Sequence, residues 1–188
     1  VRPGTLSLAG LRGKKIAAPI GTEVHVLLSK ILAEQGLTMR DIVLVNLLVP
    51  DGIAALQSGQ VDATMVVEPA LSRLAQSGVI EILRDGEGLI SGLTLSVTTA
   101  DRLLSPEVEA FRRSHAKSVD YIRENSEKVL HMAAEELNLP LEVVERVAEK
   151  YTFSSELTEH HLRELEDTIE FLFQEGIIRE RISVQDLL

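Results

Sequence analysis

The spacing of hydrophobic positions changes character along the chain. Lys14 to Pro19 reads as a short strand that leads into Pro19-Ile20-Gly21. Val24, Leu27, Leu28, Ile31 and Leu32 then recur at i, i+3, i+4, i+7 and i+8, the stripe of one helix face. Thr22 stands where an N-cap belongs, Glu23 is an acid in the first turn, and Gly36 suits the residue after the helix end. Residues 42–47 and 63–67 are apolar and β-branched, too short for helices, and typical of strands covered on both faces. Residues 50–58 read as a helix stopped by Gly59, and residues 69–76 as a helix with proline in its first turn. Residues 79–83 read as a fourth strand. The order β-α-β-α-β-α-β predicts a mostly parallel sheet with helices on its faces.

From about residue 100 the period is helical throughout. Ser105-Pro106-Glu107 is a helix start, and Val108, Phe111, Val119 and Ile122 mark one face as far as Asn125. His115 falls on that apolar face, which predicts a core histidine, with a pocket-lining role as the other reading. Ser126-Glu127 opens a helix carrying Leu130, Ala133, Ala134 and Leu137, broken at Asn138-Leu139-Pro140. A third helix carries Val144, Val147, Ala148 and Tyr151. Thr158 opens a fourth, with Leu162, Leu165, Ile169, Leu172 and Phe173, ending at Gly176. Residues 182–188 read as a strand or a terminal turn. Phe171 lies off the stripe of its helix, which suggests a contact with something else.

Composition sharpens this division. The 188 residues carry a net charge of −10, with 45% hydrophobic and 26% charged residues and no cysteine. That is the range of folded globular chains, and it excludes disorder and disulfide scaffolds. The acidity argues against nucleic acid, because phosphate contacts need lysine and arginine. No apolar run is long enough for a membrane span. Residues 1–100 are nearly neutral and hold eleven of the twelve glycines, whereas residues 101–188 hold most of the negative charge and all six aromatics. The acidic side chains of this second piece lie mainly opposite its apolar stripes, as solvated helix faces do.

In an open α/β sheet, ligands sit beyond the carboxyl ends of the strands. Two segments meet that rule. One is the run Gly21, Thr22, Glu23, Val24 and His25, at the end of the first strand and the start of a helix. A helix N-terminus offers unpaired N–H groups and partial positive charge, and glycine lets a ligand approach the backbone. The plainer reading is that Thr22 only caps the helix and His25 lies on its surface. The other segment is Glu68-Pro69 after the third strand. Residues 10–15 lack the spacing of a phosphate loop and precede a strand, and Ser91 falls one place late for a nucleophile elbow. His160-His161 are adjacent, so their side chains diverge by about 100° and make a poor metal pair. No cofactor or metal is expected.

Taken together, these segments resemble the solute-binding proteins of ABC importers, in the sulfonate, taurine, nitrate and thiamine-precursor branch. The resemblance rests on Leu11-Arg12-Gly13-Lys14-Lys15-Ile16-Ala17 and on Gly21 to His25. It extends through Gly36-Leu37-Thr38 with Asp41 and Val43 to Asn46, then through Ala55-Leu56-Gln57-Ser58-Gly59-Gln60-Val61-Asp62-Ala63 and Glu68-Pro69. Asp167, Phe171-Leu172 and Gly176-Ile177-Ile178 continue it to the closing helices. It implies a periplasmic-binding-protein-like α/β fold: a mostly parallel three-layer lobe over residues 1–98, then a helical segment, 99–188, belonging to the other, incomplete lobe.

The function implied is capture of a small organic solute between two lobes, without catalysis, by a periplasmic or membrane-anchored extracellular protein that delivers to a membrane permease. The ligand-binding residues implied are Gly21, Thr22, Glu23, Val24, His25 and Glu68. Two carboxylates and no obvious arginine suit an amine or neutral heterocycle, whereas the helix N-terminus suits an anion, so the solute class stays open. The family is expected to have an N-terminal stretch that residues 1–13 cannot supply, so the chain is expected to be a fragment or a stand-alone relative. Apolar surface left bare on the second piece, Phe171 included, would be covered by domain swapping or homodimerisation. The alternatives are an enzyme on the same fold, of a desulfinase or pyrimidine-precursor-synthesising kind, or a sensory or interaction module. The absence of cysteine, of a metal cluster and of an evident Ser–His pair disfavours the enzyme.

Overall fold

The computed structural model describes residues 1–187. Its sheet has three strands, β1 (Lys15–Ala17), β2 (Val43–Val45) and β3 (Ala63–Thr64), in the order β2-β1-β3. Both pairings are parallel, with Ile16 opposite Leu44 on one side and Ala63 on the other. The strands occupy the expected runs and are shorter than them. Helix α1 (Glu23–Glu34) joins β1 to β2, α2 (Val49–Gln57) joins β2 to β3, and α3 (Ala70–Gln76) follows β3.

Successive strand residues point to opposite faces, and both faces of β1 are covered. Ile16 packs with Leu28, Ile31, Leu32 and Ile42 on the α1 side. Ala17 packs with Ala55, Leu56, Val61 and Ile80 on the α2 side. Ile16, Leu32 and Leu56 are essentially sealed from solvent. Burial of each such side chain contributes about 1.5–3 kcal/mol. This is the three-layer lobe that the sequence pattern implies.

The fourth strand is not formed. Residues 79–83 join no strand, and Glu81 exchanges backbone hydrogen bonds of 3.0 and 2.9 Å with Val1. One exchanged pair anchors the segment and buries Ile80, yet it is too little to extend the ladder next to β3.

The chain divides into two compact units, Val1–Gly92 with Glu159–Leu188, and Leu93–Thr158. The second unit contains α4 (Pro106–Glu124), α5 (Ser126–Leu137) and α6 (Leu141–Ala148). Ser105 caps α4 as its sequence indicates, its Oγ accepting from the Val108 N–H at 3.3 Å. Asn138 ends α5 in the left-handed region at φ 50°. Val119, Val143 and Val144 are buried, but Val97 and Leu104 are about nine-tenths exposed and Phe111 is half exposed. His115 is therefore not a core residue. It is exposed and stacks on Phe111 at 6.0 Å, because the face carrying both is uncovered over the N-terminal half of α4, although Val119 further along it is buried. Residues 93–98 alternate leucine or valine with threonine or serine and join no strand.

Helix α7 (Glu159–Gln174) belongs to the first unit and lies against α1. The sequence reading sought a partner for Phe171 outside its own helix and allowed that it was bare surface. It is half-buried and meets the ring of His25 edge-on, with centroids 5.1 Å apart. Lys30 Nζ of α1 lies 3.8 Å from Asp167 of α7. Val184–Leu187 form a short 3-10 turn, not a strand, and Leu188 lies outside the described residues.

One close approach sets the seat of α2 on the sheet. A Cβ added at Gly52 would lie 2.5 Å from Thr64 Oγ1 and 3.4 Å from Ala17 Cβ. Alanine is the better helix former, by about 1 kcal/mol, but the clash is with a short, stiff side chain in the core. Gly52→Ala is expected to destabilise the chain by about 1–3 kcal/mol. Adding Thr64→Ala should restore most of that loss, measured as coupling in a urea-unfolding double-mutant cycle.

Candidate functional site

The order β2-β1-β3 places the site. From β1 the chain crosses by α1 to a strand on one side. From β2 it crosses by α2 to the opposite side. The crossovers diverge outside the carboxyl ends of β1 and β3, the place where open α/β sheets hold their ligand crevice. Three loops leave from this edge: residues 18–22 after β1, 46–48 after β2, and 65–69 after β3.

The first loop is fixed by its own backbone. The Ile20 N–H donates to Asn46 Oδ1 at 3.0 Å, and the Gly21 N–H donates to His25 Nδ1 at 3.2 Å. Gly21 adopts φ +80°, a conformation that costs other residues about 1–2 kcal/mol. Thr22 occupies the N-cap position of α1 by its backbone, but its hydroxyl donates to Pro19 O at 2.6 Å and does not cap. The Thr22 carbonyl accepts from His25 and Val26 N–H. The N–H groups of Thr22 and Val24 are left without an internal acceptor, at the positive end of a twelve-residue helix. Gly21, Thr22 and Glu23 are exposed, and Val24 is half-buried.

His25 lies behind this loop. It is 2% exposed, on neither the helix surface nor the open crevice. Burial holds its pKa below the usual histidine value, while the negative charge of Glu175 acts in the opposite direction. Its Nε2 is buried without a hydrogen-bond partner.

Glu68 sits on the loop after β3, which leaves the same edge of the sheet as the first loop. Its carboxylate accepts from the Ser72 N–H at 3.0 Å and the Ser72 hydroxyl at 3.1 Å, which ties it to the start of α3. The Glu68–Pro69 peptide is cis. Asn46 is a site residue that the sequence reading quoted only as part of a strand. Asn46 is exposed, and with Oδ1 accepting from Ile20 its amide nitrogen is the group left to donate. A polar residue directly after the apolar run of β2 is the signal that could have found it.

A second concavity lies elsewhere on this unit. An open groove of about 540 Å³ is lined by Lys30, Leu89, Ser91, His160, Arg163 and Glu164, among others. Here the fold creates a Ser–His pair invisible in the sequence, with Ser91 Oγ 3.1 Å from His160 Nε2. Glu164 lies 3.9 Å from that same nitrogen and accepts from the Ser91 N–H at 2.8 Å. In a nucleophilic triad the carboxylate holds the other ring nitrogen. Among the described residues, no group of three or more histidine, cysteine or acidic side chains could hold a metal ion. No described helix is long and apolar enough to cross a membrane.

Comparison with known proteins gives a consistent result. A Bacillus subtilis strain 168 protein named as an aliphatic sulfonates-binding protein is 29% identical over 98% of this chain. The chain spans 57% of that relative's length. The crystal structure of the periplasmic aliphatic sulphonate binding protein SsuA from Escherichia coli superposes with a TM-score of 0.83 at 21% identity, over 100% of this chain and 63% of that one. The alkanesulfonate-binding protein SsuA from Xanthomonas axonopodis pv. citri, bound to MOPS, gives 0.82 at 27% identity, over 98% and 65%. The desulfurization enzyme DSZB shares the fold more distantly, with a TM-score of 0.60 at 18% identity over 99% of this chain and 70% of that one. The family model described as NMT1/THI5 like matches residues 2–129, and the chain belongs to that family.

Proposed function

We propose that this chain is part of the substrate-binding component of an ABC importer, and that it captures an aliphatic sulfonate or a similar small organic anion without transforming it. The carrying observation is the pair of unsatisfied N–H groups, Thr22 and Val24, at the start of α1 on the edge of the crevice. An anionic head group there would take two backbone hydrogen bonds and the favourable end of the helix dipole. Gly21, Thr22, Glu23 and Val24 would form the ligand loop, with Asn46 as an added donor.

Glu68 is the apparent objection to an anion, and its geometry weakens that objection. Its oxygens are drawn to Ser72 at the start of α3, where the N-terminal end of that helix offsets its charge. The names of the relatives point the same way. Residues 1–98 would form the ligand-binding lobe, with α7 packed on it, and the helices between residues 99 and 158 would belong to the other lobe. The exposed apolar side chains of Leu93–Thr158 fit a surface that lies against further structure, either sheet of the same protein or a second copy. The partner would be a membrane permease, and the location periplasmic or membrane-anchored and extracellular. The enzymatic alternative is disfavoured because Glu164 stands on the wrong nitrogen of His160 to orient it for Ser91.

Two results are expected. An alkanesulfonate at one hundred times its Kd should stabilise the protein by about 2.7 kcal/mol, a rise in Tm of about 5–10 °C for this length. If scanning calorimetry finds no rise with any alkanesulfonate, taurine or nitrate, the importer reading is wrong. The second result reads the charge of the solute. Glu68→Gln keeps an acceptor for Ser72 and removes a negative charge from the loop after β3, so sulfonate affinity by titration calorimetry should rise by about two- to fivefold. A fall in affinity, or tighter binding of an amine to the unaltered protein, would point to a cationic or neutral solute.

A further inference from the structure

We propose that His25 is the positioning residue of the ligand loop: its neutral ring, protonated on Nε2, holds the Gly21 N–H inward and so turns the next free N–H groups toward the crevice. This rests on the reading of residues 21–24 as the ligand loop.

The tautomer follows from the hydrogen bond. Gly21 donates to Nδ1 at 3.2 Å, so Nδ1 must present a lone pair. A neutral imidazole with that nitrogen bare carries its proton on Nε2. That Nε2 is buried with no acceptor, and the ring packs edge-on against Phe171 with an angle of 80° between planes. A buried histidine with one unpartnered nitrogen is costly as mere core filling. The cost is understandable when the other nitrogen sets a functional backbone.

The loop is tethered at two successive amides, Ile20 to Asn46 and Gly21 to His25. With both drawn inward, Thr22 and Val24 are the first N–H groups left for a ligand. His25 itself is sealed from solvent, so it acts through Gly21 and does not touch the solute.

A proton on Nδ1 destroys the arrangement. The imidazolium has a hydrogen on each nitrogen and cannot accept, so the Gly21 N–H would confront a second N–H. The groups around the ring do little to stabilise that charged form. Phe171 from α7 and Ile177 beside Gly21 are apolar, and Glu175 after α7 is the acid whose charge reaches the ring. On its own helix, Glu23 stands two residues away at the exposed N-terminus. Desolvation is the larger effect and keeps the ring neutral below the usual histidine value of about 6.5. The folded state therefore binds the proton less readily than the unfolded chain. Stability from this residue is present above about pH 6.5 and is lost as pH falls below it toward the depressed folded value.

Nitrogen NMR of the 188-residue chain tests this without any ligand. His25 should show its proton on Nε2, with a through-hydrogen-bond coupling between the Gly21 nitrogen and Nδ1. On acidification that coupling should vanish, and the Gly21 amide shift should move with the midpoint of the His25 ring itself. His25→Asn, whose amide oxygen can replace Nδ1 as acceptor, should keep the Gly21 shift near its neutral-pH position and make it independent of pH. His25→Phe should displace it at every pH. In butanesulfonate titrations, His25→Phe should bind about tenfold more weakly, the worth of one hydrogen bond, and His25→Asn within about twofold of the unaltered protein. A proton on Nδ1, or a Gly21 shift that stays flat while the His25 ring titrates, overturns the inference. If His25→Phe does not fold, the titration of the unaltered chain still decides. If the sulfonate fails to bind while the loop behaves as described, the ligand assignment fails and the positioning role stands.

Discussion

The structure depends on β1 lying between two parallel neighbours with both of its faces sealed. Ile16 and Ala17 are adjacent in sequence and each is 1% exposed, yet they belong to cores on opposite sides of the sheet. A central strand so placed cannot slip by one residue without exchanging its two faces. Parallel pairing then requires a crossover after β1 and another after β2, and every crossover begins at the same edge. The loops bearing Gly21, Asn46 and Glu68 meet because three strands run in one direction with the middle one buried. Their chemistry is a consequence of that topology.

Legibility in the sequence followed the same physics. The apolar runs of β1, β2 and β3 and the stripe of α1 were readable because burial on a sheet or helix face leaves a period. Residues 79–83 carry the same composition as a buried strand, but their pairing partner is Val1, and nothing in the run itself specifies that. The loop at Gly21 to His25 was found from its place after a strand. The roles within it were not readable. Thr22 has the identity of a cap but spends its hydroxyl on Pro19, and His25 has the identity of a surface residue but is buried under Phe171. The first is a local bond three residues back, and the second depends on α7, nearly one hundred and fifty residues away in sequence, whose packing on α1 no local pattern encodes. His115 failed in the opposite sense, since its helix period is right but its face is bare.

The distribution of charge also has a different meaning in the structure. The net −10 does not describe the crevice edge, where an amide end of α1 is exposed and the carboxylate of Glu68 is turned to the neighbouring helix. The total charge says how the chain behaves in solution, and the local arrangement of N–H groups says what it can hold.

Residues 93–98 carry a cost of a different kind. They alternate large apolar with small hydroxyl side chains, contain no charge and belong to no strand. Natural sheets protect their edges with lysine, proline or a bulge, and this segment has none of these devices. Uncharged apolar backbone of this kind favours association with other chains. For anyone preparing the isolated chain, its solubility becomes a matter of concentration and time in solution more than of fold stability.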